Sequence, residues 1–425
     1  MEIRALLSAM WRNRTGPLLV AAQVAITLAA VVNVAYIVQQ RVEQANQSTG
    51  MDLDNMFWVR TEALSQDFNY WPAVQADLAY LNGLPGVVGA STITPMPQTY
   101  SSLGLPFASS PEQLLTPNGG VPGRIYYGTE KILDTLGLKL VAGRTFDANA
   151  VVPPGSDLGA SIGNWASEII ITQSMANKLF PKSKVQTAGG AGNSDTSALG
   201  KTVYVGLVNK SSTVVGIVER MQGAPAPAIY DQFVTQIVLV PIIPFGPDGS
   251  YMVRTQHGRR DAIMAKVEKE FADLQPGRFV VRMEAMSDTA KQIRSGIRGS
   301  IIILSVVAAL VLAVTVIGIV GLAAFNVTTR TKQLGTRRAI GARKFHILRY
   351  FLVENWIITS GGALLGCVLA LAAGVKLSLM YQMARVPLYY LVAGVVVLWI
   401  VGLLAVLVPA RRAASISPAT ATRMV

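Results

Sequence analysis

The chain has 425 residues, of which 51% are hydrophobic and 14% are charged, and its formal net charge is +13. Soluble domains carry roughly 25% charged residues, so these figures exclude an entirely soluble protein and also a disordered or collagen-like one. The single cysteine, Cys367, excludes an intramolecular disulfide and a cysteine-rich metal site. His257 and His346 lie far apart without neighbouring ligands, which gives a histidine-based metal site little support.

The apolar residues are concentrated in four stretches, each long enough to cross a bilayer, which takes about 20 residues. The predicted transmembrane helices comprise residues 16–40, 300–327, 350–375 and 387–409. A cleaved signal peptide is the alternative for the first stretch. Its apolar run, however, is longer than the roughly 7–15 residues of a signal and ends without a small-residue cleavage site. We therefore predict an uncleaved anchor.

The positions of the basic residues predict the orientation of these helices. The segment between Glu43 and Arg298 is nearly neutral, with 21 Lys/Arg and 22 Asp/Glu. Three other segments are basic: the one before the first helix, the loop between the second and third helices, and the tail. Their basic residues are Arg4, Arg12, Arg14, Arg330, Lys332, Arg337, Arg338, Arg343, Lys344, Arg349, Arg411, Arg412 and Arg423. Basic loops stay in the cytoplasm, which predicts that both termini and the loop between helices two and three lie there. The predicted cytoplasmic segments are 1–15, 328–349 and 410–425, and the outside segments are 41–299 and 376–386. A nucleic-acid site is the alternative use of the positive charge, but no binding module supports it.

The large outside segment contains an approximate internal repeat. Its first copy has a strand pattern at Phe57–Thr61, a helix pattern with apolar residues three and four apart, and a strand at Val87–Ser91. The second copy repeats this order with strands at Tyr251–Thr255 and Arg278–Arg282. The helix residues on the apolar faces are Trp71, Val74, Leu78 and Leu81 in the first copy, and Ile263, Val267, Phe271 and Leu274 in the second. Two such units predict an α+β split sandwich of the ferredoxin-like kind.

A different segment, about 121–240, separates the two copies. It contains strand-like runs at Glu168–Thr172, Thr202–Val208 and Thr213–Val218, so we predict an inserted, mainly β subdomain. Residues Lys182–Gly200 are rich in Gly, Ser, Thr and Asn, and their composition fits a functional loop and a simple linker equally well.

The motifs of ATP-binding and hydrolytic enzymes are missing or incomplete. The nearest approach to a phosphate-binding loop, Asp195–Thr202, has an aspartate where that loop requires glycine. Thr359–Gly362 lies within an apolar span, where small residues permit close helix packing. We therefore predict that this chain is not an enzyme, holds no cofactor or metal, and depends on another chain for any work done by ATP.

The most specific pattern lies in the basic loop and the helix after it. Residues 330–342 read RTKQLGTRRAIGA, residues 347–354 read ILRYFLVE, and the tail at 409–418 reads PARRAASISP. These residues resemble the FtsX/MacB-type permease family of ABC transporters. The segments LGL at 136–138, AGRTF at 142–146 and SMANKLFP at 174–181 are similar to the outside domain of that family. Gln333, which replaces the family's usual glutamate, and the long 182–200 segment depart from the pattern.

The resemblance implies that the basic loop is a coupling helix that docks on an ATPase. The residues carried over to this role are Lys332, Gly335, Arg337, Arg338, Ala339, Gly341, Ala342 and Arg343. Glycines at 335 and 341 permit a tight turn or a close approach at a short helix. A basic loop that contacts lipid headgroups is the alternative interpretation. Glu354, near the cytoplasmic end of the third span, is predicted to pair with Arg349 or with a base of the loop.

The resemblance also implies function and partners. It indicates a stand-alone permease without a fused ATPase domain, in the bacterial inner membrane, that relays motion of a separate ATPase carrying ATP and Mg²⁺ to a periplasmic domain for export. The implied partners are that ATPase, a second permease chain, and in some systems a periplasmic adaptor and an outer-membrane duct. The alternatives are FtsX-like signalling to a cell-wall hydrolase and extraction of lipoproteins from the inner membrane.

Overall fold

The computed structural model consists of two compact units. The helical unit comprises Met1–Gln44 and Ile297–Val425, and the α+β unit comprises Ala45–Gly296. The residues that the structure describes are 15–46, 48–65, 68, 70–99, 103–116, 119–155, 163–181, 198–223, 234–244, 248–271, 273–274, 277–340, 343–381 and 386–415. Residues 182–197 of the 182–200 segment and residues 382–385 of the predicted outside loop at 376–386 therefore lie outside the described residues.

Within the described part of the chain, four long helices are apolar enough to cross a membrane, as predicted. They are α1 (Thr15–Asn46), α7 (Met286–Thr329), α9 (Lys344–Tyr381) and α10 (Leu388–Ser415). Each extends beyond its apolar stretch, most of all α7, which has 44 residues and begins well before the predicted span. A short helix, α8 (Thr331–Ala339), lies between α7 and α9.

The helical unit is held together by close contacts and by polar side chains between helices. Gly362 and Gly366 of α9 pack against the α1 backbone, since a Cβ at either position would lie within 3 Å of Ala21 O or Ala25 O. Gln23 Nε2 donates to Val314 O at 2.9 Å, and Asn33 Nδ2 to Ala370 O at 3.4 Å. The contact at Gly362 agrees with the close packing expected of the small residues at Thr359–Gly362, and the two side-chain hydrogen bonds join α1 to α7 and to α9.

One half of the α+β unit is the predicted repeat. The first copy consists of β1 (Met56–Ala63), α2 (Tyr70–Gly83) and β2 (Val87–Thr94). The second consists of β10 (Asp248–Thr255), α6 (Arg260–Glu270) and β11 (Arg278–Ala285). The strands pair antiparallel in the order β11-β1-β10-β2, which confirms the ferredoxin-like split sandwich. Apolar residues of both helices and of the strands beneath them, including Val74, Leu81 and Val267, form one buried cluster.

The other half is a closed β-barrel. Its strands are β3 (Leu103–Ala108), β4 (Val121–Gly128), β6 (Glu168–Thr172), β7 (Thr202–Val205), β8 (Lys210–Val218) and β9 (Ile237–Val240), and β5 (Leu140–Gly143) adds to β8. The pairings run β4-β3-β7-β8-β6-β9 and return to β4, so that the ring has no free edge. The inserted subdomain is mainly β as predicted, but its strands begin at β3, before residue 121. Short helices α3 (Pro111–Leu114), α4 (Ile132–Leu136) and α5 (Gln173–Leu179) complete the unit.

A buried ion pair joins the two copies of the repeat. Asp77 of α2 and Arg278 of β11 form a two-fold hydrogen bond, in which Arg278 Nη2 donates to Oδ1 at 2.5 Å, and the two side chains are 0% and 2% exposed. Tyr251 Oη of β10 donates to the same carboxylate at 2.5 Å. Burial, and then the charge of Asp77, raise the pKa of Tyr251 well above its ordinary value. Burial alone would lower the pKa of Arg278, but the hydrogen bond and charge of Asp77 raise it.

We expect Arg278→Met to destabilise the α+β unit by about 3–5 kcal/mol, because it leaves the Asp77 carboxylate buried and unpaired. Lys139→Met is the matched control, since Lys139 and Glu219 form a pair 3.1 Å apart with side chains 79% and 59% exposed. Urea unfolding of the detergent-solubilised chain measures both. Equal effects of the two substitutions would contradict the structural role assigned to the buried pair.

Candidate functional site

The basic segment between two membrane-length helices is itself helical. Arg330 N donates to Asn326 O at 3.2 Å and Leu334 N to Arg330 O at 2.9 Å, so helical hydrogen bonding continues from α7 into α8. Leu334 is 5% exposed and packs into the apolar core of the helical unit. Because this residue holds one face of α8 against the unit, α8 has a fixed position there.

The residues predicted for coupling fall into three groups. Gly335 is buried and lies within α8, so it does not form a tight turn. Ala339, at the end of α8, and Arg343 are exposed. The structure does not describe the side chains of Lys332, Arg337 and Arg338, although these residues belong to α8. It also does not describe Gly341 and Ala342.

Two exposed apolar side chains were not identified from the sequence. Ile340, which follows α8, is 82% exposed, and Phe345, near the start of α9, is 66% exposed. Between them lie the exposed bases Arg343 and Lys344. The junction of α8 and α9 thus presents apolar and basic side chains together, which is the composition of protein interfaces rich in arginine and large apolar residues.

An ion pair fixes the start of α8 to α9. Arg330 Nη1 lies 3.2 Å from Glu354 Oε1 and donates to Tyr350 Oη at 2.8 Å. The Glu354 side chain is 4% exposed and that of Arg330 is 22% exposed. The partner of Glu354 is therefore Arg330, a base of the loop and one of the two predicted alternatives. The other alternative, Arg349, is exposed on another face of α9. A buried carboxylate is stable when such a cation and hydrogen-bond donors meet it.

At its other end, α7 begins within the α+β unit and is held there by side chains. Trp58 Nε1 of β1 donates to Thr289 Oγ1 at 2.9 Å. Arg260 Nη1 of α6 donates to Ser287 Oγ at 3.0 Å and to Asp54 O at 2.8 Å. Arg260 thus joins the first turn of α7 to the segment that precedes β1 within the α+β unit.

Both parts of the chain match known protein families. The family of the MacB-like periplasmic core domain matches residues 18–272, and that of the FtsX-like permease C-terminal region matches residues 305–418. The macrolide export ATP-binding/permease protein MacB of Neisseria meningitidis serogroup A is 27% identical over 335 residues, which cover 76% of this chain and 46% of that protein. MacB of Wolinella succinogenes is 36% identical over 124 residues, which cover 28% of this chain and 19% of that protein. The chain spans about half the length of the curated relatives it matches.

Solved structures of extracytoplasmic domains are also similar. The periplasmic region of MacB from Actinobacillus actinomycetemcomitans matches with a TM-score of 0.32 and 14% identity, over 59% of this chain and 97% of that one. The extracellular domain of the ABC-type transporter YknZ from Gram-positive bacteria matches with a TM-score of 0.30 and 17% identity, over 53% of this chain and all of that one.

We expect Glu354→Gln to loosen α8, because it removes the charge that holds Arg330 against α9. A double-mutant cycle with Arg330→Gln should give a coupling energy of about 1–3 kcal/mol, measured as amide hydrogen exchange of residues 331–339 in the solubilised chain. Arg349→Gln, at an exposed position of α9, is the control and should leave the exchange unchanged. Additive effects of the first two substitutions would show that the pair does not hold α8.

Proposed function

The chain belongs to the FtsX-like permeases with a MacB-like periplasmic core domain, and on that premise we propose that it is the mechanotransmitting subunit of an ABC exporter. The observation that carries this proposal is α8, a short helix in a basic segment that is held to α9 by the Arg330–Glu354 pair. In this function ATP and Mg²⁺ bind to a separate ATPase, and this chain carries the resulting motion to its extracytoplasmic domain.

We infer the orientation from charge. The basic residues of the α8 segment and of the two termini favour the cytoplasm, and the nearly neutral α+β unit favours the other side of the inner membrane. In this orientation α8 and an ATPase share one compartment. Ile340 and Phe345 then face the cytosol, where a protein partner would bury them.

The proposed contact with the ATPase combines these apolar side chains with the bases around them. Ile340 and Phe345 supply apolar area, and Arg343 with the predicted Arg337 and Arg338 supplies positive charge. A complementary groove on the ATPase would be apolar at its centre and acidic at its rim. Arg330, paired with Glu354, would pass the displacement of α8 to α9 and to the end of α7.

At the other end of α7, the contacts of Thr289 and Ser287 would pass the motion to β1 and α6. Transport by two such chains, identical or related, requires two states that differ in their contacts with the ATPase. The relatives named as macrolide exporters make an amphipathic small molecule the first cargo to test. A periplasmic adaptor and an outer-membrane duct are the further proposed partners.

Co-purification of the tagged chain from its native membranes tests this function. We expect an ABC ATPase, together with a membrane-fusion adaptor. Recovery of an ATPase with a cell-wall hydrolase in place of the adaptor would overturn export in favour of signalling. Recovery of neither would overturn the proposal.

We expect the double substitution Arg337→Glu and Arg338→Glu to weaken ATPase association at least about tenfold and to abolish transport, because it opposes the charge of the groove. Arg411→Glu with Arg412→Glu is the matched control. It reverses the same charge at exposed positions at the end of α10, on the same predicted side of the membrane. Equal loss in both variants would assign the effect to topology or lipid contact and would contradict the assigned interface.

Labelling of single cysteines tests the orientation. In a Cys367→Ala background, Ala339→Cys should react with a membrane-impermeant maleimide only after the inner membrane is permeabilised. Leu207→Cys, at an 87% exposed position of the α+β unit, should react before this step, once the outer membrane is open. The reverse pattern would invert the topology and remove α8 from the reach of an ATPase.

A further inference from the structure

A small, half-open cavity lies in the helical unit next to the Arg330–Glu354 pair. The space within it that the centre of a water molecule can occupy has a volume of about 20 Å³. Its walls are apolar on most sides, including Ala323, Phe351 and Ile358. The polar residues that line it are Asn326 of α7 and the neighbouring Glu354 and Asn355 of α9.

The polar atoms at the cavity have unused hydrogen-bonding capacity. Asn355 is 7% exposed, and its Nδ2 has no hydrogen-bond acceptor among the residues that the structure describes. Glu354 Oε1, although 3.2 Å from Arg330 Nη1, accepts no well-aligned hydrogen bond from the described part of the chain. A buried polar group left in this condition destabilises the folded chain, so an occupant that completes these hydrogen bonds would be retained.

Size and charge select the occupant. A cavity needs roughly 10–15 Å³ on this measure to hold a water molecule, so this one has room for about one. A metal cation would meet the guanidinium of Arg330 beside the carboxylate, and an anion would meet the Glu354 charge. The site requires a small neutral molecule that both donates and accepts hydrogen bonds.

We propose that this cavity binds a water molecule that donates to Glu354 and accepts from Asn355 Nδ2, with the Asn326 side chain as a third partner. The water completes the hydrogen bonding of the carboxylate that holds α8. The site would exist whether or not an ATPase binds to α8, so its test is independent of the proposed function.

Radiolytic hydroxyl-radical labelling in H₂¹⁸O tests the site in the full chain in nanodiscs, because a bound water forms radicals beside the side chains that it touches. Phe351 is 3% exposed and lines the cavity, and Phe107 is 0% exposed in the barrel core. We expect ¹⁸O incorporation at Phe351 to exceed that at Phe107 roughly threefold or more, as for a residue beside a bound water. Equal incorporation at the two phenylalanines would overturn the proposal.

Two variants confirm the source of the label. Ala323→Leu fills the cavity and Asn355→Leu removes the donor, so each should lower incorporation at Phe351 to the rate at Phe107. Amide hydrogen exchange of α9 reports whether each variant is folded. Undiminished labelling of Phe351 in a folded Ala323→Leu variant would show that the radicals come from bulk solvent, and would also overturn the proposal.

Discussion

A carboxylate within a membrane-length helix needs a cation beside it, and this requirement organises the region around α8. Glu354 is almost fully buried, and the positive charge that meets it belongs to Arg330, at the junction of α7 and α8. The electrostatic need of one helix is therefore met by the first residue of the segment proposed to contact an ATPase. Because the pair is largely removed from water, its attraction is screened far less than that of an exposed pair. The mechanical role proposed for α8 depends on this strong attraction, which holds the start of α8 against α9.

The α+β unit applies the same principle on a different scaffold. Asp77, Tyr251 and Arg278 come from a helix and two strands that are far apart in the sequence, and they meet in an apolar cluster. An unpaired charge there would be very unfavourable, so the group is stable only when both copies of the repeat are correctly assembled. The first turn of α7 is joined to this half of the unit through Trp58 and Arg260, so its position depends on the half that the buried pair stabilises.

Local patterns in the sequence predicted most of the elements but not their partners. Spacings of three and four identified α2 and α6, and four long apolar runs identified the membrane-length helices, because these signals lie within single elements. The runs did not predict that α7 begins at Met286, since its first turns are polar and hydropathy detects only the part suited to lipid. Closure of the barrel was not predictable either, because it depends on parallel pairing of β4 with β9, more than a hundred residues apart.

The candidate site shows the same division. Helix geometry could have decided between the two bases considered for Glu354, because residues five apart lie about 140° apart around a helix, which turns Arg349 away from it. The pairing of Glu354 with Arg330 was not predictable from the sequence, because it depends on the tertiary packing that brings the end of α7 beside α9. The exposure of Ile340 and Phe345 also depends on tertiary packing. The apolar and basic residues around them follow no helix or strand period, so the sequence pattern did not predict which side chains would be exposed.

The length of α7 sets the scale of any movement that it transmits. At a rise of about 1.5 Å per residue, its 44 residues span about 66 Å, roughly twice the hydrocarbon thickness of a bilayer. A rigid rod of this length that pivots at one end by about 5° displaces its far end by about 6 Å, one turn of an α-helix. In the proposed orientation, a small angular change at the end of α7 next to α8 is therefore geometrically sufficient to move a residue such as Thr289 past its neighbours, without any sliding of the helix through the lipid.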